Sequence, residues 1–455
     1  MSESLNHTER TTASTRNACR LCAPLGAALV FKGIQGALPL LHGSQGCSTY
    51  IRRYVIGHFR EPIDIATSGF SESSAIFGGR ETLLTALDNV VKQYNPALIG
   101  VATTCLTETI GDDVKAILRD FAKSRASESG PELVHVSTPS YSGSHADGFH
   151  NAVHSVLASL ARTGPRDRHI NVLPGMLSPQ DLRHLRDLCE QFGLSPTLLP
   201  DYSDTLDGPA WATYQSIPQG GTPLAQIHRS GSAAATLELG WSLQSRTSGG
   251  SLLQQCFDVP LFQLGLPIGI NETDQLCGAL ERISGRKTPA SLLAERGRLI
   301  DSYVDGHKYV FGKRAIVYGD EDMVIGLTAL LSEIGMSPVL CATGASSEHF
   351  GSLLRRVAPT LAQETTIVND ADFATMQDLA PSLKPDIVIG SSKGFGLARD
   401  LKVPLVRVGF PIHDRIGAQR IQHVGYSGAQ QLFDRIVNAL IDAQQTSSDI
   451  GYLNY

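Results

Sequence analysis

HINVLPGMLSPQDLRHLRDLCEQFGLSPTLLPD, residues 169–201, and RAIVYGDEDMVIGLTALLSEIGMSPVLCATG, residues 314–344, follow one grammar. Each opens on a short apolar run, turns, continues as an amphipathic helix, turns again at a glycine and ends on a second apolar run. FGLSP at 192–196 is answered by IGMSP at 334–338. Two copies of a β-α-β unit demand parallel strands with a right-handed crossover. They also mark the starts of two domains, so the fold class is α/β with parallel sheets.

Outward from these units the chain divides further. Thr288 and Pro289 supply an N-cap and first position for a long helix from Ala290 to about Tyr309. Beyond the second unit, Ile387 to Gly390 reads as a strand running into the glycine-rich loop Gly390 to Gly396, Val403 to Val408 as another strand, and Gly428 to Ala443 as a closing helix. Upstream, Arg162 to Arg168 looks like a linker. A chain of 455 residues is long enough for about three domains. The expected divisions are a flexible tail at 1–16, then three Rossmann-like domains at 17–165, 166–305 and 306–455.

A net charge of −6 gives no reason to expect nucleic acid or a membrane surface as partner. No run of about 18 apolar residues suggests a membrane span, and the polar start MSESLNHTERTTASTR lacks the apolar core of a signal peptide. A cytoplasmic location is expected. Eight cysteines in such a chain point to thiols or metal ligands rather than a disulfide framework.

Three of those cysteines stand at helix starts. Cys22 precedes Ala23-Pro24, where a helix through Leu25 to Leu29 should begin, so it sits at or near the N-cap. Cys47 ends the loop His42 to Cys47, with Ser48 to Tyr54 reading as the helix that follows. Cys105 falls in the loop between a buried strand, Leu98 to Ala102, and a helix opened by Asp112 and Asp113. Helix N-termini favour thiolates and anions, which suits ligation of a negatively charged iron–sulfur cluster. Glycines 26, 43 and 46 would let backbone approach a bulky inorganic core. Three is an odd number for a cluster that commonly takes four cysteines, so the remaining ligands must come from elsewhere, most simply a partner chain.

The ordered motifs C-x-PLGA at 22–27, HGSQGC at 42–47, HFREP at 58–62, FGG at 77–79, TTC-x-x-E-x-IGDD at 103–113 and TPS-x-x-GSH at 138–145 closely resemble the nitrogenase superfamily, and within it the beta-type subunits. The resemblance implies three Rossmann-like domains and a P-cluster-type iron–sulfur cluster, of eight irons or else of four, shared with an alpha-type partner in an α2β2 heterotetramer. It implies that Cys22, Cys47 and Cys105 are the metal ligands here, with Ser140 joining them on oxidation. It also implies electrons arriving from an ATP-dependent Fe protein-like reductase. No G-x-x-x-x-G-K-[ST] occurs in the chain, so the nucleotide site belongs to that separate component.

Among family members the expectation is a nitrogenase-like reductase of the methylthio-alkane type, because all P-cluster-type ligands are retained and no long extension precedes the first cysteine. The alternative is the N-type chain of a cofactor-assembly scaffold. Other residues receive plainer readings. Cys19 is a bystander despite its C-x-x-C spacing with Cys22. Cys189, Cys256, Cys277 and Cys341 are buried thiols. His42 is either a donor to cluster sulfur or a structural part of its loop. Arg52, Arg53, His58, Arg60 and Glu61 form a solvated or subunit-contacting charged face, and the 390–396 loop serves the fold.

Overall fold

The computed structural model describes residues 18–125 and 130–449. The expected tail at 1–16, together with Asn17 and residues 126–129, lies outside the described residues. Three parallel sheets follow one another along the chain. The first holds β1 (Ala37–His42), β2 (Ala66–Thr67), β3 (Leu98–Thr103) and β4 (Glu132–Val136) in the order β2-β1-β3-β4. The second holds β5 (His169–Leu173), β6 (Ser195–Leu198), β7 (Ala235–Leu239) and β8 (Leu261–Leu264) in the order β6-β5-β7-β8. The third holds β9 (Arg314–Gly319), β10 (Ser337–Thr343), β11 (Thr366–Val368), β12 (Ile387–Gly390) and β13 (Leu405–Arg407) in the order β11-β10-β9-β12-β13.

The two repeated stretches form the expected units. Residues 169–201 supply β5, the Pro179–Gln191 helix and β6, and residues 314–344 supply β9, the Glu321–Glu333 helix and β10, each strand pair parallel. Strands such as β1, β3 and β5 are buried along their whole length, which is why they read as unbroken apolar runs rather than alternating ones. One apolar core runs through all three sheets, from Leu25 and Phe149 through Phe192 to Leu330 and Leu432.

Sequence expectation and structure part at a few ends. Pro289, not Thr288, is the N-cap of the Ala290–Val310 helix, because the Thr288 hydroxyl and N–H both donate to Glu281 instead. The division expected near 305 falls inside that helix. Cys189, Cys277 and Cys341 are buried, but Cys256 is exposed near the end of the Gly249–Phe257 helix. The 390–396 loop serves the fold: Gly394 N–H donates to the Tyr318 hydroxyl at 3.0 Å, and a Cβ on Gly390 would stand 2.5 Å from the Tyr318 ring.

The helix Ala23–Lys32 is buried on every face. It crosses the His145–Leu160 helix at glycines on both sides. A Cβ on Gly26 would lie 1.8 Å from the His145 carbonyl oxygen, and one on Gly148 1.9 Å from that of Ala23. Gly26 therefore serves close helix packing, and not an inorganic core as expected.

Candidate functional site

Register within the first sheet decides where the thiols meet. Ala37 pairs with Leu98 and His42 with Thr103 across β1 and β3, and Val136 of β4 pairs with Ala102. The loops that follow, carrying Cys47, Cys105 and Ser140, therefore leave the sheet side by side at its carboxyl edge, where open parallel sheets gather ligands.

Each loop is then fixed locally. Ser44 caps the Gln45–Phe59 helix, accepting from Gly46 N–H at 3.3 Å, so Cys47 lies inside its first turn rather than just before it. Cys105 opens a short helix, Cys105–Ile110, where the sequence predicts only a loop, ended by Gly111 at φ 80°. Asp113 then N-caps the next helix, Val114–Ser124, accepting from Ala116 N–H at 2.9 Å. Cys22 is the N-cap of Ala23–Lys32, as its spacing predicts.

Ser140 joins the loops. Its hydroxyl oxygen accepts from Ala23 N–H at 3.1 Å, and its own N–H donates to Cys105 Sγ at 3.2 Å. The segment bearing Cys22 is held from both sides. Cys22 bridges to Ser144, Leu21 N–H donates to His145 Nδ1 at 3.3 Å, and His145 Nε2 stands 2.9 Å from Asp320. On the other flank Ala18 pairs with Asp372, Cys19 N–H donates to Ala371 at 3.0 Å, and Arg20 meets Asp370 at 2.9 Å.

All three thiols are half-buried and free. Burial pushes the Cys47 thiol pKa up, and the nearby Cys22 and Cys105 push it further. That is the reverse of the lowering expected at a helix start: desolvation first, and then the neighbouring thiols, disfavour the thiolate. Among the described residues no three His, Cys, Asp or Glu side chains gather tightly enough to hold a single metal ion. Three thiols on three separate segments are the donor chemistry of iron–sulfur ligation, and the Ser140 N–H already donates to one of the sulfurs.

Cys19 is excluded by position. It lies in the apolar cluster of the third sheet, and burial pushes its pKa up to about 12. His42 takes the structural role. Its ring is fully buried, with Nδ1 3.0 Å from Ser68 Oγ and Nε2 3.2 Å from Asp112 Oδ2. Gly43 lies against Thr104, whose Oγ1 a Cβ would meet at 2.0 Å, whereas Gly46 is open apart from Ser44. The expected charged face loses His58, which is buried and accepts from Ile412 N–H at 2.9 Å, its pKa lowered to about 3 by burial first. Sequence reading missed the apolar rim: Ile76 is 73%, Phe77 86% and Tyr141 64% exposed. Its only signal was large apolar residues beside the motif glycines and Ser140.

The sequence matches the family described as nitrogenase component 1 type oxidoreductase over residues 22–441. The chain belongs to that family. It is 37% identical to the nitrogenase molybdenum-iron protein beta chain of Methanothermobacter thermautotrophicus, over 97% of each chain. Against the vanadium-iron protein beta chain of Trichormus variabilis it is 34% identical, covering 99% of this chain and 98% of that one. The solved structure described as nitrogenase Cp1 at pH 6.5 superposes with a TM-score of 0.94 at 34% identity, over 98% of each chain. Within the nitrogenase component 1 family the chain is thus beta-chain-like, and its fold of three parallel sheets is the family fold. Among the described residues no helix is long and apolar enough to cross a membrane.

Proposed function

We propose that this chain is the beta-type subunit of a nitrogenase-like two-component reductase of the methylthio-alkane type, and that Cys22, Cys47, Cys105 and Ser140 hold its share of a P-cluster-type iron–sulfur cluster. The observation that carries this reading is the convergence of three half-buried free thiols and Ser140, with Cys47, Cys105 and Ser140 on loops at one sheet edge and Cys22 brought beside them at a helix N-cap. Bound there, the cluster supplies one-electron transfer. The chain's own residues bind and orient: three thiolates ligate, Ser140 N–H donates to the Cys105 sulfur, and the Ala23 N–H holds the Ser140 hydroxyl beside them.

The apolar rim of Ile76, Phe77 and Tyr141 supports a shared site closed by an alpha-type partner. The reading includes an α2β2 assembly, supported by the likeness to nitrogenase beta chains, in which substrate chemistry occurs mainly in the partner and ATP hydrolysis in a separate Fe protein-like reductase. The units 17–165, 166–305 and 306–455 serve as its three domains in a cytoplasmic complex, the last two joined through the Ala290–Val310 helix. A second reading, reduction of dinitrogen, is favoured by the names of the relatives.

Anaerobic copurification with a coexpressed partner, iron and acid-labile sulfide counts and EPR test the cluster. Cys22→Ala, Cys47→Ala and Cys105→Ala should each lower iron content. Turnover with the reductase component then separates substrates. A methylthio-alkane taking two electrons and two protons yields an alkane and methanethiol; ammonia from dinitrogen would select the second reading. A four-iron signal with a transferable precursor and no turnover would move the assignment to the cofactor-assembly scaffold, and a complex without iron would overturn every cluster reading.

A further inference from the structure

We infer that Asp112 is a positioning residue of the thiol site, locking the Cys47 loop, the Cys105 turn and the exposed Ile76–Phe77 tip into one mutual geometry. This rests on reading the thiols as cluster ligands. Strand register brings the loops together, yet leaves each free to flex beyond its strand.

The Asp112 carboxylate removes that freedom. Gly79 N–H donates to its two oxygens at 3.1 and 2.9 Å, and His42 Nε2 lies 3.2 Å from Oδ2. On the other edge of the imidazole, Ser68 Oγ stands 3.0 Å from Nδ1 and accepts from Gly43 N–H at 2.9 Å. Asp112 itself follows Gly111, which ends the helix begun by Cys105. One carboxylate, its side chain 9% exposed, thus ties three segments distant in sequence. An acceptor-only group suits the position, because donors approach it from both sides and bonds to a charged acceptor are the stronger kind. Space is closed around it. A Cβ on Gly79 would stand 2.7 Å from Asp112 Oδ2 and 2.2 Å from the Phe70 ring, which itself meets His42 edge-on with centroids 4.9 Å apart.

The test compares Asp112→Ala, Asp112→Asn and the neighbouring Asp113→Ala, which removes only the cap of the following helix. Hydrogen exchange on the full chain reads the loops without needing a cluster. In Asp112→Ala, peptides covering 42–50, 76–80 and 103–112 should exchange about tenfold faster or more. Asp112→Asn, which keeps one oxygen acceptor, should lie between it and wild type, and Asp113→Ala should leave 42–50 unchanged. In the complex with its partner, the cluster's midpoint potential should shift in Asp112→Ala and recover toward wild type in Asp112→Asn. Faster exchange confined to 76–80, with the cysteine loops and the potential unchanged, would overturn the proposal. If the wild-type complex lacks iron, the cluster reading falls, and the exchange pattern still decides whether Asp112 fixes the loops.

Discussion

Replacing Gly26 by alanine sets two physical effects against each other. Alanine is the better helix former, worth about 1 kcal/mol over glycine within a helix. The new methyl, however, would stand 1.8 Å from the His145 carbonyl oxygen and 2.6 Å from the Phe149 nitrogen. An ordinary carbon–oxygen contact is about 3.4 Å, so the two helices must separate by roughly 1.5 Å. Both obstacles are backbone, and no side chain can swing aside. Overpacking of this kind costs about 3 kcal/mol or more, so the net loss is about 2 kcal/mol at least. Gly297 provides the control: it lies in the Ala290–Val310 helix with nothing within 4 Å of an added Cβ. Gly297→Ala should gain about 1 kcal/mol from propensity alone. Urea denaturation of the full chain followed by far-ultraviolet circular dichroism measures both. A Gly26→Ala variant as stable as wild type would refute the close-crossing argument.

Acid should destabilise the chain through histidines that partial or full burial holds neutral. Burial lowers the pKa of His58 to about 3 and of His135 and His150 to about 4, all below the ordinary value of about 6.5. The unfolded chain therefore binds more protons below pH 6.5, and each histidine removes about 1.4 kcal/mol per pH unit from there down to its folded value. Urea midpoints at pH 7.0 and 5.5 check this, and an unchanged midpoint would count against it. Cys19→Ala should cost about 1 kcal/mol of stability yet leave the iron content of the complex intact, unlike substitution of Cys22. Arg356 lies over the Trp241 ring at 3.8 Å, so Arg356→Ala should lower stability by about 1 kcal/mol and change the tryptophan emission.

Much of the fold was legible because its signals are local. The repeated units at 169–201 and 314–344 each carry two apolar runs, a helix and glycine turns, and the strands form as read. Cys22, Cys47 and Cys105 were visible through proline, glycine and capping residues in consecutive sequence. What stayed hidden depends on contacts between distant segments. Nothing near Gly26 reports the helix at 145–160, and the burial of His58 is decided by Ile412, 354 residues away. The raised Cys47 pKa stays hidden for the same reason: a helix start is visible in sequence, whereas the burial of the thiol, and the two thiols that register brings near it, are not.

The segment 18–22 has a mechanical meaning. Its first residues are stitched to the third sheet through Ala371, Asp370 and Asp372, while Cys47 and Cys105 ride on the edge of the first. Cys22 itself is tied forward to the first domain, through its bridge to Ser144 and the Ala23 N–H on Ser140, so five residues span the seam between the two sheets. A thread this short leaves little slack, so the position of Cys22 records how the first and third sheets sit against each other.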